Sequence, residues 1–247
     1  MTWRQLAYRM YWKLERVITP GLRSTQYDYR DALLRYLERG SGWLDVGCGH
    51  AIFPDWVGDS ARAAVARAGC VVGIEYDIDS LRQHALIRNR VVGDIERAPF
   101  RPDSFDVVTA NMVIEHIQNP DRFLRNVRVV LRPGGFLIAH TPNIRNYKVR
   151  LAALLPQGLK NRLIAWFENR HEDDVFPTLY RMNSEAAIRD LASRSGFRVV
   201  EFRSLNSSAS TVVLGPVVIA ELLATRLLNT SALSRYRSNL IFVLQRV

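Results

Sequence analysis

The sequence contains little cysteine, almost no lysine and no apolar run long enough to cross a bilayer. Two cysteines in 247 residues exclude a disulfide framework and a zinc site built only from cysteine. The apolar stretch at residues 211–220 is too short to span a membrane and is interrupted by Gly215-Pro216. The first 16 residues lack the apolar core of a secretory signal, so we expect the protein in the cytoplasm.

The composition is that of a globular protein with an uneven charge distribution. Apolar residues make up 48% and charged residues 23%, which excludes a disordered chain. The net charge of +10 is carried by the two ends of the sequence, because residues 44–143 are almost neutral. Basic flanks suit nucleic acid, an anionic membrane surface or solubility, and an arginine-rich genome would produce the same bias.

The nearly neutral block alternates short apolar runs with helical patterns. Predicted strands cover residues 42–46, 70–75, 91–92, 105–110 and 136–140. Predicted helices cover residues 61–68, 81–88 and 121–131. This alternation favours a parallel sheet covered on both faces, with the ligand crevice beyond the carboxyl ends of the strands.

Small and acidic residues follow these predicted strands. Gly47 and Gly49 come after the first strand, where glycine permits a sharp turn and a close approach of the backbone to a ligand. Glu75 ends the second strand, where a carboxylate can accept hydrogen bonds from both hydroxyls of a ribose. Asp94 and Asn111 follow the third and fourth strands. The combination is typical of a nucleotide-binding sheet.

Five segments of the sequence form a recognisable series: LDVGCG (44–49), VVGIEYD (71–77), VVGDIERAPFRPDSFDVV (91–108), ANMVIEHIQNP (110–120) and LRPGGFLIAHTPN (131–143). With these segments the chain resembles a class I S-adenosylmethionine-dependent methyltransferase, of the group that methylates quinones and other small molecules. The resemblance implies an α/β, Rossmann-like fold with a seven-stranded, mostly parallel sheet whose last strand is antiparallel. Residues 196–203 and 239–246 are predicted as the last two strands. The implied reaction is methyl transfer from S-adenosylmethionine to a small apolar or amphiphilic acceptor, such as a lipid, a quinone or a secondary metabolite.

The resemblance also implies which residues surround the methionine part of this cofactor. Asp45 would brace the loop after the first strand, and Gly47, Cys48 and Gly49 would pass under the methionine moiety. Asn111 would lie near the sulfonium. The stretch that follows Gly49 is longer than is usual in the family, and we expect a short turn and a loop there before the helix.

Four further residues are implied around the nucleoside. Glu75 would bind the ribose hydroxyls, and Tyr76 would pack beside the adenine. Asp94 would accept a hydrogen bond from the adenine amino group, and the Ile95 amide would face a ring nitrogen.

A hydroxyl acceptor requires a base that works near neutral pH, for which histidine is suited. His140 ends the fifth predicted strand at the ligand rim, and His171 opens a segment that could border the substrate. We name both as candidate catalytic residues, with a structural role as the alternative for each. We expect His84 on the surface and Cys70 in the core. No group of residues has metal-ligand spacing, so no metal is predicted.

The flanks are basic and amphipathic. Residues 1–43 are predicted as an N-terminal helical cap, and residues 44–247 as the methyltransferase domain with inserts at 144–180 and 205–238. Such segments suit a lid over an apolar substrate or a peripheral contact with an anionic membrane. Ordinary packing of the inserts on the sheet is the alternative.

Three other functions compete with this hypothesis. A nucleic-acid methyltransferase would use the positive charge, but the Asn-Pro-Pro-aromatic segment and any appended nucleic-acid module are missing, so we expect no nucleic-acid partner. A non-catalytic, membrane-associated protein could retain the fold, although Glu75 and Asp94 are intact. A nicotinamide dehydrogenase is disfavoured because Gly-x-Gly-x-x-Gly is lacking. The sequence makes no prediction about the oligomeric state.

Overall fold

The computed structural model describes residues 3–97, 99–154, 177–209, 211–212 and 215–247. These residues group into two compact units. The sheet unit consists of the described parts of residues 26–142, 179–203 and 240–247, and the helical unit of the described parts of residues 1–25, 143–178 and 204–239.

A seven-stranded sheet runs through the sheet unit. Its strands are β1 (Gly42–Val46), β2 (Cys70–Glu75), β3 (Asn89–Val92), β4 (Phe105–Asn111), β5 (Leu131–Pro142), β6 (Phe197–Leu205) and β7 (Asn239–Arg246). Their order is β3-β2-β1-β4-β5-β7-β6, and β1 to β5 pair in parallel. The last strand is antiparallel, so the predicted fold class is confirmed.

The order of the strands locates the ligand crevice. From β1 the chain moves outward through β2 to β3 and then returns to β4 on the other side of β1. The direction of winding therefore changes between β1 and β4, and in open α/β sheets ligands bind beyond the carboxyl ends of the strands at this switch point. The ends of β1 and β4 carry Asp45 and Asn111.

Both units contain helices among the described residues. They are α1 (Trp3–Ile18), α2 (Thr25–Tyr36), α3 (Ser60–Arg67), α4 (Ile78–Gln83), α5 (Pro120–Val130), α6 (Tyr147–Leu154), α7 (Glu185–Arg194) and α8 (Val217–Leu228). Side chains cap α4, α5 and α7: Asp77, Asn119 and Ser184 each accept a hydrogen bond from an amide of the first turn. Within the described ranges, none of these helices has the length and apolar character needed to cross a bilayer.

The core of the sheet unit lies between the sheet and its helices. Leu44, Val108 and Leu137 are buried on the three central strands, and Phe123 and Val127 of α5 belong to the same cluster. Parallel strands that are covered on both faces are apolar along most of their length, which is why these strands could be predicted from short apolar runs.

Two predictions about single residues in this unit are wrong. His84 is buried, because α4 ends before it and its Nδ1 accepts hydrogen bonds from the amides of Leu86 and Ile87 at 3.3 and 3.0 Å. Burial lowers the pKa of this imidazole. Cys70 is exposed, because only the later residues of β2 turn into the core. The predicted helix over 81–88 is also displaced, since Asp77 starts α4 at Ile78.

The helical unit has its own small core. Tyr11 of α1 packs with Val218 and Leu222 of α8. A buried carboxylate, Glu221, pairs with Lys148 of α6 at 2.6 Å and also accepts a hydrogen bond from a backbone amide. The predicted cap over residues 1–43 and the two predicted inserts stay predictions, and residues 155–176 of the first insert lie outside the described residues.

Candidate active site

The loop after β1 needs glycine for two different reasons. Gly47 and Gly49 both have a positive φ, 63° and 52°. A Cβ on Gly47 would lie 2.3 Å from Cγ2 of Val113, so the backbone passes close beneath the segment after β4. A Cβ on Gly49 would meet nothing within 4 Å. The backbone at Gly49 therefore borders open space in which a ligand has room.

Glu75 connects this loop to the end of β2. Its Oε2 accepts a hydrogen bond from the Gly49 amide at 2.9 Å, and its Oε1 accepts from the amides of Tyr76 and Asp77 at 2.7 and 3.0 Å. A carboxylate offers about four lone-pair sites. Three backbone amides thus orient Glu75 and leave it acceptor capacity for a ligand hydroxyl.

Cys48 lies between the two glycines of the loop and is buried. A Cβ on Gly73 of β2 would lie 2.6 Å from its sulfur, so this glycine makes room for the thiol. Burial raises the pKa of the Cys48 thiol, and the charges of Asp45 and Glu75 add to the shift. The thiol is therefore unsuited to act as a nucleophile.

The four predicted nucleoside contacts lie at the ends of β2 and β3, which are neighbours in the sheet. Glu75 of β2 pairs in register with Val92 of β3, and Asp94 follows Val92 by two residues. Asp94 is exposed and accepts a hydrogen bond from the Glu96 amide at 2.8 Å. Tyr76 is 74% exposed, whereas the side chain of Ile95 is buried. No hydrogen bond joins Asp94 to Glu75 among the described residues.

Asp45 belongs to a buried polar chain between β1 and β4. Thr109 donates a hydrogen bond to its Oδ1 at 2.6 Å, and Nε1 of Trp43 donates to the Thr109 hydroxyl at 2.7 Å. Burial raises the pKa of Asp45 to about 7. The hydrogen bond from Thr109 lowers this pKa, whereas the charge of Glu75 raises it further. A carboxyl that changes charge near neutral pH thus lies at the switch point of the sheet.

His140 and Asn111 meet at the ends of β5 and β4. Nδ1 of His140 lies 2.9 Å from Oδ1 of Asn111, and the Asn111 amide donates to Oε1 of Gln26 at 2.9 Å. The ring stacks on Tyr29 with centroids 5.8 Å apart. Because Oδ1 of Asn111 is an acceptor, this contact favours the tautomer of His140 that carries its proton on Nδ1. Burial lowers the pKa of His140 to about 4, against the charge of Asp28, so the ring is neutral at neutral pH.

Sequence reasoning missed the contribution of α2. Gln26, Asp28 and Tyr29 all lie on this helix, and Asp28 forms an ion pair with Arg203 at 2.6 Å. Gln26 and Tyr29 are three positions apart and share one helical face, but Gln26 meets Asn111 across 85 positions of the chain. No local pattern indicates such a contact.

A second missed group surrounds Glu115, which lies in the ANMVIEH segment. Its carboxylate is buried and accepts a hydrogen bond from Thr141 at 2.9 Å, while its backbone oxygen accepts from Leu179 and Tyr180. Burial raises the pKa of Glu115 to about 7. An acid within an otherwise apolar segment was the available signal. The other candidate base, His171, lies outside the described residues.

Comparison with known proteins identifies the family. A family model described as a methyltransferase domain matches residues 22–202. A ubiquinone biosynthesis O-methyltransferase of Coxiella burnetii (strain RSA 493 / Nine Mile phase I) is 31% identical over 135 residues, which are 49% of this chain and 54% of that protein. A protein of the same description from Aeromonas salmonicida (strain A449) is 30% identical over 62% of this chain and 66% of its own length. The chain therefore spans between half and two thirds of these relatives.

A solved structure supports the fold. The S-adenosylmethionine-dependent methyltransferase from Mesorhizobium loti superposes with a TM-score of 0.57 and 17% identity, over 90% of this chain and 98% of that one. At this identity the likeness concerns the fold alone. The family match covers most of the sequence, so this chain belongs to the methyltransferase-domain family, which confirms the prediction of a class I methyltransferase with S-adenosylmethionine as cofactor.

Proposed function

We propose that the protein transfers the methyl group of S-adenosylmethionine to a small apolar or amphiphilic acceptor at a membrane surface. The observation that carries the proposal is the Glu75 carboxylate, which three amides orient beside open space at Gly49 in a chain of this family. The relatives named as ubiquinone biosynthesis O-methyltransferases support a quinone-like acceptor.

The residues present fit the cofactor. Glu75 would bind the ribose hydroxyls with its remaining acceptor capacity, and Asp94 would accept from the adenine amino group beside the Ile95 amide. The other predicted contacts are Asp45, Gly47, Cys48, Gly49, Tyr76 and Asn111. When bound, the cofactor supplies a methyl group activated on a sulfonium, so the protein has to align the acceptor and exclude water.

His140 is proposed to orient a hydroxyl of the acceptor. The contact with Asn111 orients the ring at the carboxyl end of β5, where it would contact a hydroxyl group of the acceptor. A pKa near 4 keeps the ring neutral across the physiological range and makes it a weak base. We therefore expect His140 to contribute more through positioning than through proton removal. His171 stays a candidate base.

The membrane part of the proposal is supported by α1. Trp3, Leu6, Met10 and Val17 recur on one side of the helix and are 59%, 48%, 57% and 75% exposed. Basic residues lie next to this stripe on the helix surface, namely Arg9, Lys13 and Arg16. An apolar stripe bordered by cations suits an anionic lipid surface, where tryptophan occupies the interface and cations contact the headgroups.

Calorimetry tests the cofactor site. We expect the wild-type chain to bind S-adenosylmethionine and its demethylated product, and Glu75→Gln to weaken binding by about tenfold to a hundredfold, since it removes charge-assisted hydrogen bonds. Asp79→Asn is the matched control, because it neutralises an exposed acid of α4 and should leave the affinity unchanged. Absence of binding by the wild type, or equal binding by Glu75→Gln, would refute the proposal.

Product analysis and vesicle flotation test the acceptor and the membrane. Incubation with methyl-labelled cofactor and lipid or metabolite extracts should label a small amphiphile; label found only in nucleic acid would contradict this.

In a flotation experiment, vesicles of phosphatidylcholine with phosphatidylglycerol should carry the wild-type protein upward, whereas the double variant Leu6→Glu, Met10→Glu should not float. Val129→Glu, an exposed apolar position on α5, is the control and should float like the wild type. Equal flotation of all three proteins would exclude the apolar stripe of α1 as the surface that contacts the membrane.

A further inference from the structure

The helical unit contains a pocket lined by arginine. It has a volume of about 470 Å³ and is formed by Ile144, Arg145, Arg150, Arg235 and Tyr236. This volume falls within the range of small-molecule sites, which is roughly 300–1,000 Å³. We propose that this pocket binds a phosphate group, either of a free phosphorylated metabolite or of a lipid headgroup.

Two buried asparagines hold the walls of the pocket together. Asn143 donates through its amide to the backbone oxygens of Arg235 and Arg237 at 2.9 and 2.8 Å, and Asn146 donates to the backbone oxygen of Tyr236 at 2.8 Å. Both asparagines are at most 1% exposed. The segment that carries Arg145 and Arg150 is thereby fastened to the segment that carries Arg235. The folded unit therefore holds the backbone segments that carry the three arginines at fixed positions around the pocket.

Within the part of the chain that the structure describes, no acid pairs with the arginines of the pocket. Among the described residues, no carboxylate lies within 4.0 Å of Arg145, Arg150 or Arg235. Nearby basic residues are engaged, because Lys148 pairs with Glu221 and Arg237 donates to three backbone oxygens. Three cations around one cavity raise its positive potential and favour an anion there.

The number of donors favours phosphate over carboxylate. One guanidinium fork already satisfies both oxygens of a carboxylate, whereas a phosphate presents at least three oxygens to be paired. The guanidinium of Arg235 lies 4.8 Å from the ring centre of its neighbour Tyr236, which restricts its orientation. Tyr236 and Ile144 add apolar surface that suits the organic part of a phosphate ester.

Calorimetry on the full chain with inorganic pyrophosphate and with phosphate tests the site. Vesicles of phosphatidylcholine with and without phosphatidic acid provide the lipid arm. We expect Arg145→Gln, Arg150→Gln and Arg235→Gln each to weaken anion binding by about tenfold or more, and Arg150→Lys to recover only part of it. Arg62→Gln is the control, since it removes the same charge from an exposed arginine of α3.

The outcomes distinguish the two possible sources of the phosphate group, and they distinguish failure of this proposal from failure of the proposed function. Binding of pyrophosphate in solution supports a phosphorylated metabolite, and binding only to phosphatidic acid vesicles supports a lipid headgroup. Failure of the wild type in both arms, or an equal loss in Arg62→Gln, would overturn the proposal. Affinity for S-adenosylmethionine, measured on the same variants, should be unchanged. Its absence in every protein would refute the proposed methyl transfer and leave the phosphate site standing.

Discussion

Replacement of Asp45 by asparagine should remove most of the pH dependence that this residue adds to stability. The folded-state pKa of Asp45 is raised by burial to about 7 from an ordinary value of 3.8. Between these values the folded protein retains a proton that the unfolded chain has already released. Asp45 therefore contributes stability that is complete below the unfolded pKa and is lost as the pH rises through the folded pKa.

The magnitude follows from the two pKa values. Each unit of pKa difference corresponds to about 1.4 kcal/mol, so between about pH 5 and about pH 8 the wild type loses about 2.6 kcal/mol through this one group. Asparagine has nearly the same shape, can still accept the hydrogen bond from Thr109 and does not titrate. The free energy of unfolding of Asp45→Asn, relative to wild type, should thus rise by about 2.6 kcal/mol over that interval.

Urea unfolding followed by circular dichroism at several pH values measures this difference. The difference between the two proteins cancels the contributions of Glu115 and His140, which also have shifted pKa values. Asp79→Asn, at an exposed position, should run parallel to the wild type. If the free energy of unfolding of Asp45→Asn ran parallel to that of the wild type across this pH range, the raised pKa of Asp45 would be refuted. If the wild type instead gained stability relative to the variant as the pH rose, Asp45 would be ionised in the folded protein.

Three further predictions concern single contacts. Gly47→Ala should abolish cofactor binding and lower the free energy of unfolding by several kcal/mol, because the new Cβ would lie 2.3 Å from Val113. Gly134→Ala is the control: Gly134 also has a positive φ, but a Cβ there meets open space, so urea unfolding should show a loss of only about 1 kcal/mol. His140→Gln should lower kcat more than it changes KM, and the wild-type pH–rate profile should show no inflection near 6.5; one that vanished in the variant would contradict the burial of the ring. Glu221→Gln should lower the free energy of unfolding by about 1–3 kcal/mol in thermal or urea melts, since it leaves a lysine without its buried partner; an unchanged midpoint would exclude the ion pair as a stabilising contact.

Local patterns predicted the central sheet well. The bounds of β1 and β2 agree with their predicted residues, because each is a short apolar run ended by a glycine turn or an acid. The same patterns located Gly47, Gly49 and Glu75, whose roles depend on neighbouring backbone within one β-α-β unit. The environment of His84 was mispredicted, because a short helix that ends early turns that side chain inward.

Contacts between distant segments could not be predicted in this way. Gln26 and Tyr29 approach Asn111 and His140 only because α2 packs over the ends of β4 and β5. The sequence likewise contains three separated arginines but does not show that two asparagines bring them around one pocket.

By itself, the sequence determined the family, the order of strands and helices, and the turn that presents Glu75, since all of these depend on spacing along the chain. The tertiary structure alone decided which ionisable groups are removed from water. Asp45 and His140 carry no local sign of a shifted pKa. The reason is physical: desolvation depends on what surrounds a side chain in three dimensions, and those surroundings come from segments far apart in the sequence.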